Sequence, residues 1–199
     1  MPTSAPLAAV LALASAIAAA GERAALPALA RVYVNPDPAP IADFTLTDQA
    51  GKPRRFSSLR GEPALVFFGF THCPDVCPTA LGRLKLLHDA RDGALKSARV
   101  VLISVDGERD TPARLKEYLA PLSPDFIGLT GDPKLASKIA AQFAAVFFKE
   151  PPGKDGSYEV MHSTQVFAVD RSGRLRASFA DAAIEDMATI TALLLDEPS

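Results

Sequence analysis

The run ALVFFGFT, residues 64–71, constrains the fold of this chain more than any other segment. It contains no charged side chain and is rich in aromatic residues, which favour strands. A strand with one face in water alternates apolar and polar residues, so this run predicts a central strand covered on both faces. Short apolar runs alternate with helical patterns along the rest of the chain. We therefore predict an α/β fold, with helices covering the sheet.

Local signals place the other elements. Thr111-Pro112 and Asp132-Pro133 each set a capping side chain before a proline, which favours the first turn of a helix. We predict strands at residues 44–46, 54–56, 64–71, 99–105, 126–129, 146–149, 159–161, 165–170 and 174–179, and helices at residues 78–90, 112–119, 133–144 and 183–195. The first two and the last two of these strands are predicted to form hairpins, because short turn sequences separate them.

The first 21 residues carry no charged side chain and contain a nearly continuous apolar run, residues 7–20. As a helix this run is about 21 Å long, shorter than the roughly 30 Å core of a membrane. We predict a signal peptide or membrane anchor at residues 1–21, with Ala18 and Ala20 forming an A-x-A cleavage site. Residues 22–40 are rich in proline and are predicted to form an extended spacer. The folded domain is expected to occupy residues 41–199.

Charge and cysteine content exclude several classes of protein. The chain has 21 Lys and Arg against 23 Asp and Glu, with no basic stripe, so nucleic acid is not an expected partner. Its only two cysteines are Cys73 and Cys77. This count excludes a disulfide-rich scaffold, and it also excludes a four-cysteine zinc site or iron–sulfur cluster held by one chain.

The two cysteines lie in the segment THCPDVCP, between the predicted central strand and the next helix. Open α/β sheets place their sites at this end of a strand. If a helical turn separates Cys73 from Cys77, their side chains share one face and can form a disulfide or share a metal ion. A purely structural disulfide is a weaker interpretation, because closing so short a loop gains little entropy.

His162 is a second candidate, because the segment MHST immediately precedes the predicted strand at residues 165–170. Thioredoxin-like oxidoreductases have two residues between their cysteines, whereas this pair has three. A lone histidine is more often a core or surface residue than a ligand. From the residues alone, the role of His162 therefore stays open.

Four segments together carry a resemblance to a known family. They are FTLTDQAGKPRRFSSLRG, GFTHCPDVCPTAL, SVDGERDTPARLKEYL with DFIGLTGDP, and MHST, in that order over about residues 41–195. The chain resembles the Sco/SenC family of copper-binding proteins, which assemble the copper centre of cytochrome c oxidase. The resemblance implies a thioredoxin-like central sheet flanked by helices, an N-terminal β-hairpin extension and a membrane tether. It also implies a copper site made by Cys73, Cys77 and His162.

The function implied is that of a copper metallochaperone delivering copper to subunit two of cytochrome c oxidase. Thiolates are soft ligands that favour Cu(I), and an added imidazole allows Cu(II) as well. The alternative is a thiol-disulfide oxidoreductase that uses a redox disulfide between Cys73 and Cys77 to reduce the oxidase or a partner chaperone. Another periplasmic copper chaperone is a second expected partner. The expected location is the periplasmic side of the inner membrane, or the mitochondrial inner membrane in a eukaryote.

The remaining candidates are predicted to play supporting roles. His72 is expected to orient the cysteine loop, and His88 to be a partly exposed helical residue. Met161, which replaces the acidic residue expected before the family's histidine, is predicted to point away from the site rather than to bind copper. Four charged residues, Asp106, Glu108, Arg109 and Asp110, follow a predicted central strand. They either share the rim with the cysteines or form a solvated loop that caps the next helix.

Overall fold

The structure is a computed structural model that describes residues 25–90, 95–180 and 184–197. The expected signal or anchor segment, residues 1–21, lies outside the described residues. Within the described ranges, no helix has the length and apolar character needed to cross a membrane.

An eight-stranded sheet forms the centre of the domain. Its strands are β1 (Val32–Val34), β2 (Thr45–Asp48), β3 (Pro53–Arg55), β4 (Ala64–Gly69), β5 (Arg99–Ser104), β6 (Ile127–Thr130), β9 (Val166–Val169) and β10 (Leu175–Phe179). Their order across the sheet is β1-β10-β9-β4-β5-β6-β2-β3. The α-helices are α1 (Val76–Asp89), α2 (Pro112–Leu119), α3 (Pro133–Gln142) and α4 (Ile184–Asp196), and a short 3-10 helix spans Phe56–Leu59. The predicted α/β fold class is confirmed.

Strand β4 lies where the apolar run placed it, in the middle of the sheet. It pairs parallel to β5 and antiparallel to β9, and all of its residues are buried. Its Phe68 forms an edge-to-face cluster with Phe143 and Phe167, with ring centroids 5.2 to 5.9 Å apart. Burial of both faces explains why the run has no polar alternation.

The two predicted helix starts are confirmed in atomic detail. The Thr111 hydroxyl accepts a hydrogen bond from the backbone of Arg114, at 3.2 Å. The Asp132 carboxylate accepts from the backbones of Lys134 and Leu135, at 2.9 and 3.0 Å. In both helices the following proline occupies the first turn, where no backbone donor is needed.

The predicted N-terminal hairpin is present as β2 and β3, and β2 also pairs with β6. Asp48 closes the turn, because its carboxylate accepts hydrogen bonds from the backbones of Ala50 and Lys52, both at 3.0 Å. Gly51 supplies the positive φ of 78° that the turn requires. The hairpin therefore extends the main sheet at one edge.

The proline-rich spacer differs from the prediction. Strand β1 lies inside residues 22–40 and pairs antiparallel with β10, opposite Phe179, Ser178 and Ala177. Asn35 continues the contact, because its backbone donates to the Arg176 carbonyl at 2.9 Å. The sheet therefore begins before residue 41, where the sequence placed the start of the folded domain. The three residues of β1 are too few to stand out among the surrounding prolines.

Strands β7 (Phe147–Lys149) and β8 (Val160–His162) form a separate antiparallel hairpin, which pairs with no strand of the main sheet in the part of the chain that the structure describes. The pattern predicted both strands, with β8 ending one residue earlier. In the structure β8 runs through His162, which pairs with Phe147. His162 therefore projects from a strand of the small hairpin.

Candidate metal centre

Cys77 lies in the first turn of α1, behind the carboxyl end of β4, and its side chain is completely buried. Gly69, the last residue of β4, makes room for its sulfur. A Cβ added at Gly69 would lie 2.9 Å from Cys77 Sγ and 2.7 Å from the ring of Phe67. Residue 69 must lack a side chain for the sulfur to occupy this position.

Cys73 lies in the loop between β4 and α1 and is only partly buried. Its Sγ accepts a hydrogen bond from the backbone of Cys77, at 3.4 Å. Both cysteines are free thiols in this structure. Burial raises the pKa of the Cys77 thiol far above its ordinary value, because a thiolate there would lose its hydration. A bound cation would offset that cost.

His162 approaches the cysteines from the small hairpin. Its Nε2 lies 3.4 Å from Cys77 Sγ, and its Nδ1 lies 2.9 Å from the carbonyl oxygen of Ser163. A proton on Nδ1 satisfies that carbonyl and leaves the Nε2 lone pair directed at the cysteines. Burial lowers the pKa of His162, which favours the neutral ring that a metal ligand requires.

Two phenylalanines hold the imidazole ring in place. Phe67 and Phe70 contact it edge to face, with ring centroids 5.9 and 5.7 Å from its own. The donor atoms of Cys73, Cys77 and His162 all lie within 4.8 Å of one another. Two sulfurs and one imidazole nitrogen are a soft donor set, suited to a soft metal cation. The structure thus brings together all three residues predicted to bind metal.

A network of hydrogen bonds anchors the loop that leads to Cys73. Asp110 is fully buried and accepts hydrogen bonds from the hydroxyls of Thr71 and Ser104, both at 2.7 Å, and from the backbone of Thr71 at 3.1 Å. His72 lies beside this network, with Nδ1 3.2 Å from the Thr71 hydroxyl. His72, Asp106 and Asp110 also offer atoms within 4.8 Å of one another. Donors of the protein itself already bind the carboxylates of Asp106 and Asp110, so this group anchors the loop.

The other charged candidates at the rim are paired. Asp106 is buried and contacts Arg109, and Glu108 binds Lys149 at 2.6 Å. Asp106 also accepts a hydrogen bond from the Tyr158 hydroxyl, at 2.8 Å. Sequence reasoning missed Tyr158, because its position between hairpin strands gives no periodic signal.

Two supporting predictions have different outcomes. Met161 is 51% exposed and lies opposite Phe148 in the hairpin, so it points away from His162 as expected. The prediction for His88 is wrong, because its ring is 4% exposed and packs edge to face on Phe126 at 5.6 Å. Residue 88 continues the buried side of α1 next to Leu87, where the sequence pattern placed only leucines.

The fold and the site define a class of protein: a thioredoxin-like domain in which two cysteines and a histidine form a candidate metal centre. The family model described as SCO1/SenC matches residues 35–194 of the chain. This protein belongs to the SCO1/SenC family.

Individual relatives agree with this assignment. An SCO2-like protein of Rickettsia conorii is 35% identical over 148 residues, which cover 73% of this chain and 72% of that protein. The solved structure of Bradyrhizobium japonicum ScoI with copper bound matches with a TM-score of 0.68 and 39% identity, over 77% of this chain and 98% of that chain. BsSco, a member of the Sco family of cytochrome c oxidase assembly proteins with an identified disulfide switch, matches with a TM-score of 0.63 and 26% identity, over 82% of this chain and 99% of its own.

Proposed function

We propose that this protein is a copper metallochaperone, which carries copper as its cargo on Cys73, Cys77 and His162. The observation that carries the proposal is the convergence of the three donor atoms within 4.8 Å. These donors come from two segments 85 residues apart in the chain. The relative from Bradyrhizobium japonicum, which has been solved with copper bound, supports copper as the metal.

The donor set suits both oxidation states of copper. Thiolates supply most of the affinity for Cu(I), and the imidazole contributes more to the harder Cu(II) ion. Each thiol must lose its proton before it binds metal. His162 needs no such step, because its lowered pKa keeps the ring neutral near pH 7. The chain therefore offers one ready ligand, His162, and a buried Cys77 thiol whose proton must leave when copper binds.

We further propose that the acceptor is the copper centre in subunit two of cytochrome c oxidase. The description of BsSco as belonging to a family of oxidase assembly proteins supports this acceptor. Another periplasmic copper chaperone is the proposed second partner. The apolar segment at residues 1–21 supports a location on the periplasmic side of the inner membrane, or on the mitochondrial inner membrane in a eukaryote.

A thiol-disulfide oxidoreductase is the second candidate function. The contact between Cys73 Sγ and the Cys77 backbone favours it, because it holds the two cysteines close together. The disulfide switch identified in BsSco also favours it. In this function the partly exposed Cys73 is the attacking thiol, since burial keeps the Cys77 thiol protonated.

His162 separates the two functions, because thiol exchange needs only the cysteines. In cells, we expect His162→Ala to lose assembly of the oxidase copper centre nearly as fully as Cys73→Ser, and excess external copper to restore part of it. Met161→Ala is the matched control, since residue 161 lies on the same strand with its side chain in solvent. Normal oxidase activity in His162→Ala at low copper, together with failure of the cysteine variants, would replace the metallochaperone with the reductant.

A further inference from the structure

The position of His162 depends on a hairpin that the main sheet does not hold. Strands β7 and β8 pair only with each other among the described strands. Backbone hydrogen bonds of the large sheet therefore fix the cysteine loop at the end of β4, but they do not fix the histidine. The distance between His162 and the cysteines is therefore set by the contacts of the imidazole with Phe67 and Phe70 and by side-chain contacts between the hairpin and the rim of the large sheet.

Tyr158 makes several of these contacts. It lies two residues before β8, and its hydroxyl donates to the carboxylate of Asp106 at 2.8 Å. Its ring lies against two cationic side chains: the guanidinium carbon of Arg109 is 3.8 Å from the ring centroid, and Lys149 Nζ is 3.7 Å from it. Such cation–π contacts add to the hydrogen bond. Arg109 also donates to the Tyr158 carbonyl oxygen, at 3.2 Å.

The partners of Tyr158 connect the hairpin to both halves of the metal centre. On one side, the Arg109 guanidinium lies 5.7 Å from the ring of Phe70, which packs against the His162 imidazole. On the other side, the backbone of Asp106 donates to the Ser104 hydroxyl at 3.0 Å. That hydroxyl donates in turn to Asp110, which anchors the loop leading to Cys73.

Charge and burial favour a fixed contact over a loose surface pair. Asp106 is 4% exposed, so its carboxylate depends on Tyr158 and Arg109 in place of water. Lys149, the other cation at the ring, belongs to β7 and reaches back to Glu108 on the rim, at 2.6 Å. Strand β7 and the segment that leads into β8 are thus both tied to residues 106–109.

We propose that Tyr158 is the positioning residue of the copper site: it holds the His162 hairpin against the cysteine rim through Asp106 and Arg109, and so makes the imidazole available as the third ligand. The copper-dependent part of this inference rests on the proposed function. The positional part does not, because it concerns the metal-free protein.

The positional part is tested by hydrogen exchange on the metal-free protein. Tyr158→Ala should raise exchange at the paired amides of β7 and β8 by about tenfold or more, while the amides of β4 and β5 keep their protection. Tyr158→Phe keeps the stacked ring and loses only the hydroxyl, so it should lie between wild type and Tyr158→Ala. Tyr33→Ala is the matched control, since Tyr33 is exposed on edge strand β1.

The copper-dependent part is tested by a double-mutant cycle with His162→Ala. Tyr158→Ala should weaken Cu(II) binding by about 10- to 100-fold, the usual effect of losing a group that orients a ligand, and should change Cu(I) affinity much less. Its Cu(II) electron paramagnetic resonance spectrum should shift toward that of His162→Ala. In the His162→Ala background, Tyr158→Ala should have no further effect on Cu(II) affinity.

The two experiments distinguish failure of the positioning role from failure of the proposed function. Unchanged exchange in β7 and β8 would overturn the positioning role, as would a full Tyr158→Ala effect on Cu(II) affinity in the His162→Ala background. A wild-type protein that fails to bind copper, with exchange in the hairpin still raised by Tyr158→Ala, would overturn the proposed function and leave the positioning role supported.

Discussion

At the scale of single residues, burial favours the neutral form of two of the donor side chains. It raises the pKa of Cys77 and lowers that of His162, so both are neutral near pH 7 in the metal-free protein. Without metal the site therefore holds no uncompensated buried charge on these two residues. Copper binding changes this balance, because it requires the Cys77 proton to leave.

Copper affinity should therefore depend on pH. We expect Cu(I) affinity to rise between about pH 6 and pH 8, with about one proton released for each thiol that is protonated before binding. Competition with a Cu(I) chelator of known affinity, repeated across this range in different buffers, measures both quantities. A pH-independent affinity would show that neither thiol is protonated in the metal-free site.

The same shifts predict the pH dependence of stability in the metal-free protein. The folded state keeps the Cys77 proton, whereas the unfolded chain loses it near the usual pKa of 9.0, so the stability this thiol contributes is lost as pH rises past that value. His162 acts at the other end: its folded pKa lies below 6.5, so stability is lost as pH falls from 6.5 through the folded pKa. Chemical denaturation at several pH values should show a smaller alkaline loss for Cys77→Ser than for wild type. An equal alkaline loss of stability in the two proteins would mean that a group other than Cys77 causes it.

Gly69 offers a test of the space behind Cys77. In Gly69→Ala the added carbon would press on Cys77 Sγ and Phe67, so we expect a loss of about 1 to 3 kcal/mol in the free energy of unfolding, together with weaker copper binding. Gly82→Ala is the control, because a Cβ there meets nothing within 4 Å and the helix gains about 0.5 to 1 kcal/mol. Equal copper affinity in wild type and Gly69→Ala would show that the sulfur moves without consequence.

Strand β1 has the clearest consequence at the scale of elements. Deleting residues 1–40 removes it and exposes the edge of β10 that pairs with it, including the backbone of Phe179. We expect the shortened protein to bind one copper per chain, since β10 and β9 separate β1 from β4. Its melting temperature should be lower than that of a protein beginning at residue 25, and it should associate more readily. Calorimetry and sedimentation measure these effects, and identical behaviour of the two proteins would show that β1 contributes no stability.

The sequence predicts the elements that carry local signals, but it does not predict contacts between distant parts of the chain. The apolar run of β4 and the cysteines after it carry strong local signals, and so do the capped starts of α2 and α3. Strand β1 was missed because its pairing with β10 lies about 145 residues away in the chain and leaves no local pattern. Tyr158 was missed for a similar reason, since its partners Asp106 and Arg109 come from a distant loop. Only the resemblance to a family connected His162 with the cysteines.

The metal centre joins distant parts of the chain at the scale of the whole molecule. A metal ion bound to Cys77 and His162 would link segments 85 residues apart, and only the folded chain presents these donors together. Copper should therefore stabilise the folded state by mass action, by about 4 kcal/mol when free copper exceeds the dissociation constant a thousandfold. Thermal unfolding with and without Cu(I) under anaerobic conditions measures this effect. We expect a smaller increase in His162→Ala and almost none in Cys77→Ser, and an equal increase in all three proteins would place the copper elsewhere.

Because the three donors are unequally buried, we expect an incoming ligand to replace them in a fixed order. Cys77 is sealed behind β4, whereas Cys73 and His162 are partly open to solvent. An incoming ligand from another protein can replace the open donors one at a time while the sealed sulfur still retains the ion. We expect exchange of this kind to be associative, with a rate that depends on the concentration of the incoming ligand. We expect spontaneous escape into water to be slow, because the last sulfur to hold the ion is buried.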